Sequence, residues 1–249
     1  MHILITNDDG INAKGIQILA QVASFFGEVT VVAPYQESSA ISHAITLHRP
    51  LRVRKPRPSW FSVDGTPIDC VYVALHHLCK DNPPDLLLSG VNHGANLGYD
   101  THYSGTVSAA MEGVHNAVTS FAFSVNTSQP TEQHWDYVRI AVREVLDWFF
   151  EREKQLSNQL FNVNFPLVPS TTPSVIKVTT LGHVQREPQV MELHGPRDEL
   201  LCWIGGVKTH YTNEENHDCQ VVQDGEISIT PLSIDSSMKL LFKKEDKKE

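Results

Sequence analysis

The first ten residues constrain this chain most. His2-Ile3-Leu4-Ile5-Thr6 runs straight into Asn7-Asp8-Asp9-Gly10. A run of Ile and Leu bounded by a polar turn with Gly predicts a strand buried on both faces, and so a parallel sheet. Two adjacent carboxylates at its end repel each other unless something offsets their charge. A divalent cation would do so. In open α/β sheets, ligands gather beyond the carboxyl ends of the strands. The expectation is a metal site at the tip of the first strand. The alternative is a turn whose carboxylates cap the next helix through its dipole.

The rest of the chain repeats the strand–helix theme. Ala13 to Phe26 has apolar residues at helical spacing, and Gly27 stops it. Val29 to Pro34 is a second buried strand, which completes a βαβ unit. Leu51 to Arg54 and Trp60 to Val63 read as a short hairpin. Thr66 caps a helix over Ile68 to Cys79, with Pro67 at its first position. Asp85 to Gly90 is a third buried strand, followed by a Gly-rich loop over Val91 to Gly98. Ser104-Gly105-Thr106 opens a helix whose Ala109, Ala110 and Gly113 permit close packing. Phe121 to Val125 and Phe161 to Pro166 are further strands, separated by a long amphipathic helix. Beyond about residue 167 the helix signals disappear. Val175 to Thr180 and Glu226 to Ile234 are strand-like, so this part reads as a β-rich extension without a domain of its own.

Composition excludes several classes. The net charge of −9 argues against a nucleic-acid scaffold, although a bound metal can still reverse the local sign for a small anion. The four cysteines form no CxxC pair and read as reduced structural thiols. No apolar stretch is long enough to span a bilayer, and no leader is apparent, so the expected location is cytoplasmic. The mixed charge run at Lys243 to Glu249 reads as a frayed, solvated end.

Three loops, Asn7 to Gly10, Ser38-Ser39 and Ser89 to Asn92, should open on the same sheet edge. They offer carboxylate, hydroxyl and amide oxygens, a donor set suited to Mg²⁺ or Mn²⁺ more than zinc. The amides and hydroxyls at Ser104-Gly105-Thr106 would form an anion site at a helix start; the plain reading is an ordinary Ser cap. Histidines 43, 93 and 102 read as solvated loop residues, alternating burial along a helix accounts for His76 and His77, and no HExxH occurs.

The motifs Asn7-Asp8-Asp9-Gly10-Ile11, Gly65-Thr66-Pro67-Ile68-Asp69-Cys70-Val71, Ser89-Gly90-Val91-Asn92-His93-Gly94-Ala95-Asn96-Leu97-Gly98 and Tyr103 to Gly113, with Ser39 in its loop and Ser228-Ile229-Thr230-Pro231-Leu232, closely resemble the SurE (survival protein E) nucleotidases. The likeness runs from residue 1 to about 235. It implies an α/β fold: a Rossmann-like three-layer core with a mainly parallel sheet over about 1–166, and a β-rich extension and tail over about 167–249, all one SurE-like domain. It implies a metal-dependent phosphatase acting on nucleoside 5′- and 3′-monophosphates. The implied ligands to one Mg²⁺ or Mn²⁺ per subunit are Asp8, Asp9, Ser39 and Asn92. The implied phosphate contacts are Asn96, Ser104, Gly105 and Thr106. A homodimer or homotetramer, built partly by exchange of C-terminal segments, is also implied. The chain departs from the pattern at Glu37-Ser38-Ser39-Ala40, where relatives usually carry a basic residue and then Ser-Gly.

The expected reaction is phosphate-monoester hydrolysis, with Asp8 and Asp9 as the catalytic pair. Either could take a proton from water, or Asp8 could attack directly. The competing class is a Mg²⁺-binding receiver-like switch module without hydrolase activity. That module needs an Asp at the end of its third strand, where this chain has Ser89-Gly90.

Overall fold

The computed structural model describes residues 1–153, 156–187, 190–205, 208–211 and 215–235. The charge run at Lys243 to Glu249, read above as a frayed end, lies outside the described residues.

Residues 2–165 supply seven of the nine strands of the main sheet. They comprise β1 (His2–Thr6), α1 (Lys14–Ala23), β2 (Glu28–Pro34), β3 (Val53–Arg57), β4 (Trp60–Val63), α2 (Pro67–Val73), β5 (Leu86–His93), α3 (Gly105–His115), β6 (Thr119–Val125), α4 (Glu132–Phe150) and β7 (Leu160–Phe165). Then follow β8 (Ile176–Val178), β9 (Val184–Glu187), β10 (Val190–His194), β11 (Leu200–Ile204), β12 (Lys208–Tyr211), α5 (Asp218–Gln223) and β13 (Ile227–Leu232). The main sheet has nine strands in the order β3-β4-β2-β1-β5-β6-β7-β13-β8. From β4 to β7 every neighbouring pair is parallel. The antiparallel pairs are β3–β4 and β7–β13.

Side-chain alternation divides the core into two layers. Ile3, Ile5, Phe121 and Phe123 pack with apolar residues of α1 and α4 on one face. Leu4, Leu87 and Ala122 pack with Val71, Ala109 and Ala110 from α2 and α3 on the other. Both faces are covered, which is why β1 and β6 are buried throughout.

Several boundaries differ from expectation. α1 ends at Ala23, since Ser24 already turns back onto Ala20 and Val22. The helix foreseen to Cys79 ends as α-helix at Val73 and finishes as a π-helical turn, Ala74–Leu78. β3 is shifted to Val53–Arg57, an exposed edge strand where Pro56 costs little. β5 runs on to His93, so Asn92 sits on a strand end instead of in a loop. The C-terminal part does contain a helix, α5, too short for periodicity to reveal. β10 pairs with β11, and β9 with β12, as antiparallel ladders separate from the main sheet.

Candidate active site

β2, β1 and β5 lie side by side and point the same way, so their following loops share one edge. The chain passes from β1 to β2 on one side and later to β5 on the other. That makes the gap between β1 and β5 the switch point of the sheet, where such folds take ligands.

The turn after β1 is closed by Asn7. Its Nδ2 donates to the Gly10 carbonyl at 2.9 Å, and its Oδ1 accepts from the Gly10 N–H at 3.2 Å. The Ser38 N–H donates to the Asp8 carbonyl at 2.8 Å, which ties the second loop to the first. That second loop is anchored again further on. Asp69 accepts from the Thr46 and Thr66 N–H groups, and Thr66 Oγ1 donates to the Ala44 carbonyl. The capping box of α2 therefore also holds the Ser-rich loop in place.

Asp8, Ser39, Asn92, Asn96 and Ser104 line one cavity of about 210 Å³. Asp8 is 3% exposed and accepts from the Thr106 hydroxyl at 2.5 Å. Burial pushes its carboxyl up to about 6; the Thr106 hydrogen bond opposes that, and the Asp9 charge adds to it. Burial also pushes Asp9 up to about 6, against a hydrogen bond from the His93 backbone and with help from Glu37. Asp9 Oδ2 is buried with no hydrogen-bond partner among the described residues. His93 Nδ1 lies 4.0 Å from Asp9 Oδ1, and burial lowers the pKa of that imidazole.

Asp8 does meet a helix N-terminus, but that of α3 and not of α1, the next helix. α1 begins at Lys14, and Ala13 before it offers no side-chain cap. The approach of α3 requires Gly105, because a Cβ there would come within 3.0 Å of Asp8 Cβ and Oδ2. Ser104 caps α3 through its Oγ, which accepts from the Val107 N–H at 3.1 Å. Thr106 is fully buried, with its hydroxyl committed to Asp8, so it fixes the carboxylate.

Asn92 is presented by an irregularity in β5. The register against β6 shifts between Ser89 and Asn92, and Gly90 takes φ +130° with Phe123 backbone 2.4 Å from where a Cβ would stand. Only glycine fits there, and such a bulge re-aims the side chains that follow. Asn92 Nδ2 donates to the Gly94 carbonyl at 2.8 Å, which leaves its amide oxygen as the free acceptor. Ser39 Oγ donates to Glu37 Oε1 at 2.7 Å on the exposed rim. Ala40 takes φ +53°, a left-handed conformation, at the position where the resembled family has glycine.

The Gly-rich loop is held by residues that the sequence reading passed over. Asn96 N–H donates to Asn164 Oδ1, and its carbonyl accepts from Asn162 and Asn164 Nδ2. Its side-chain Nδ2 donates to Ser124 Oγ at 2.8 Å. Buried Asp218 accepts from the Gly98 and Gly182 N–H groups, so the C-terminal segment also braces this loop. A signal existed for the first pair: Phe161-Asn162-Val163-Asn164-Phe165 places two amides on one face of an otherwise apolar strand. His76 and His77 are both exposed on the π-helical turn, so their burial does not alternate as expected.

Residues 3–188 match the family model of Survival protein SurE. The chain is 42% identical over 242 residues to the 5′-nucleotidase SurE of Paramagnetospirillum magneticum, covering 94% of this chain and 90% of that one. It is 41% identical over 250 residues to the 5′-nucleotidase SurE of Pelobacter propionicus, covering 97% and 98%. The crystal structure of the SurE protein from Aquifex aeolicus superposes with a TM-score of 0.82 at 32% identity, over 95% of each chain.

Proposed function

The chain belongs to the SurE family, and on that premise we propose that it is a metal-dependent 5′-nucleotidase, hydrolysing nucleoside 5′-monophosphates, and 3′-monophosphates, to nucleoside and phosphate. The observation that carries this reading is one cavity lined by carboxylate, amide and hydroxyl groups from separate loops beside the N-terminus of α3.

The donor set fits a hard divalent cation. It is rich in oxygen, and buried Asp9 Oδ2 has no partner among the described residues. Asp8, Asp9, Ser39 and Asn92 would hold one Mg²⁺ or Mn²⁺ per subunit. Such an ion, when bound, neutralises phosphoryl charge and acts as a Lewis acid. The chain's own groups do the positioning. Thr106 fixes Asp8, and the Ser104-Gly105-Thr106 turn would offer backbone N–H groups and the Ser104 hydroxyl to a phosphate, with Asn96 lining the same cavity. Asp8 and Asp9 are the catalytic pair: either could take a proton from the attacking water, or Asp8 could attack directly.

The substrate partner is a nucleoside monophosphate. Among the described residues no helix is long and apolar enough to cross a membrane. We place the protein in the cytoplasm as a homodimer or homotetramer, with residues 1–249 acting as one unit. Support for assembly comes from β10 and β11, where Val190, Met191, Trp203 and Ile204 are exposed.

A panel of nucleoside 5′- and 3′-monophosphates, assayed for phosphate release with Mg²⁺, Mn²⁺ or chelator, tests the proposal. Turnover with the metals and none with chelator is expected. Equal rates in chelator would refute metal dependence, and no release from any nucleotide would refute the activity.

A further inference from the structure

A second group of ligating atoms lies further along α3. Glu112 and His115 stand three residues apart on that helix, so both project over one face. His43, from the Ser-rich loop, closes over them. Glu112 Oε2 is 3.5 Å from His43 Nε2 and 3.6 Å from His115 Nδ1. One donor atom from each of the three residues lies within 4.8 Å of the other two. The imidazoles meet edge to face with centroids 5.7 Å apart. Glu112 Oε1 accepts from Asn116 Nδ2 at 3.1 Å, which leaves Oε2 to the imidazoles.

We propose that His43, Glu112 and His115 form a second divalent-metal site, one that takes a borderline cation of the zinc class. It stands on this cluster alone and does not depend on the nucleotidase reading. Two imidazole nitrogens and one carboxylate oxygen are the donors that zinc-like ions prefer, whereas Mg²⁺ prefers oxygen alone. Around a tetrahedral zinc with bonds of roughly 2.0–2.1 Å, neighbouring ligand atoms stand about 3.4 Å apart. The two distances to Glu112 are already close to that. The imidazoles are part-exposed, at 38% and 43%, and free to close the third edge, while Glu112, at 13%, is the anchored ligand. Asn116 is the kind of outer partner that orients a ligating carboxylate.

Three protein ligands leave a coordination position for water or a small ligand. The cluster opens on a cavity of about 630 Å³, also lined by Ser108, Met111 and Thr230. This site is separate from the one at Asp8. Six residues of helix between Thr106 and Glu112 span roughly 9 Å. The two ions of a shared two-metal centre stand only about 3.5–4 Å apart. Occupancy would fasten the loop that carries Ser39 to the helix whose first turn holds Asp8.

The test is calorimetric titration of Zn²⁺ into the full-length Asp8→Asn protein in excess Mg²⁺, which keeps the oxygen-rich site from taking the zinc. One equivalent is expected to bind. The affinity should fall at least tenfold when His43→Ala or His115→Ala is added, and also with Glu112→Gln, which preserves side-chain size. Co²⁺ in place of Zn²⁺ should give visible d–d absorption that the same substitutions abolish. Melting curves in chelator establish that each variant is folded. If Asp8→Asn protein binds no Zn²⁺, or the histidine variants bind it as tightly, the cluster is two ordinary His–Glu contacts and the proposal fails. Metal-dependent phosphate release by wild-type protein is measured apart, so the two readings stand or fall independently.

Discussion

The carboxyl edge of the sheet and the β10–β11 ladder invert each other's chemistry. At the edge, polar groups are buried: Asp8 is 3% exposed, and Thr106, Asn162 and Asn164 are at 0%. On the ladder, apolar groups face outward, with Trp203 at 64% and Ile204 at 84%. Both arrangements cost free energy in an isolated chain, for opposite reasons. A buried carboxylate loses hydration; an exposed apolar strip keeps ordered water that burial would release. The compensation each calls for therefore differs in kind, a cation for one and apolar surface for the other. Buried polarity backed by a hydrogen-bond network marks chemistry, and exposed apolarity without such backing marks association.

The comparison breaks most directly at Asp8. Asp8→Asn should cut Mg²⁺- or Mn²⁺-dependent phosphate release by about 100-fold or more, with no loss of melting temperature in chelator. Wild-type turnover in that variant would remove Asp8 from the mechanism.

Proton linkage comes next. Asp8 and Asp9 are both raised from 3.8 to about 6 in the folded chain. Folding therefore favours their protonated forms. The stability they contribute is fully present below pH 3.8 and is lost as pH rises through about 6. In chelator the wild-type protein should lose on the order of 3 kcal/mol across that window for each of the two groups. Asp8→Asn should flatten the slope, and saturating Mg²⁺ should oppose it, because the cation competes with protons. Urea titrations at several pH values read this directly; a wild-type slope identical to that of Asp8→Asn would contradict the burial of a chargeable Asp8.

Thr106→Val keeps the shape and deletes only the hydroxyl that holds Asp8. Loss of such an outer partner typically costs 10–100-fold in metal affinity or activity, so roughly tenfold weaker activation by metal is expected. A metal titration within twofold of wild type would show that Thr106 merely fills space. At Ala40, φ is +53°, and glycine should relieve about 1 kcal/mol of left-handed strain. The midpoint of chemical denaturation should rise in Ala40→Gly; a fall would mean the loop needs the stiffness.

The smallest thermodynamic effect belongs to the ladder. Trp203→Ser with Ile204→Ser should change the stability of an isolated chain by no more than about 0.5 kcal/mol. It should nonetheless shift sedimentation towards monomer. A wild-type protein that sediments as a monomer at all concentrations would end the case for assembly through this surface.

The reading from residues alone succeeded where burial is uniform. Runs such as His2 to Thr6 and Phe121 to Val125 declare parallel strands because both sheet faces are covered. It faltered where local pattern and tertiary contact part company. α5 has only six residues, less than two helical turns, so no period can be read from it. The strands β9 to β12 pair outside the main sheet, and the reading from residues passed over them although Leu200 to Ile204 is an unbroken apolar run, which periodicity alone cannot assign to a strand. At the candidate site, Asp8 and Asn92 drew notice by residue type and position, and both line the cavity. Asn162, Asn164 and Asp218 did not, because their roles depend on reaching Asn96 and Gly98 across 66 to 120 positions of chain.

By itself, then, the sequence determined the strand–helix alternation, the acidic strand tip and the family. Those follow from short-range chemistry: period, capping, turn residues and contiguous motifs. Only the tertiary structure decided which helix end receives Asp8 and which amides clamp the Gly-rich loop. It also decided that His43 would meet Glu112 and His115. Each of these is a contact between residues far apart in the chain, set by how the layers close on one another, and no local pattern encodes that distance.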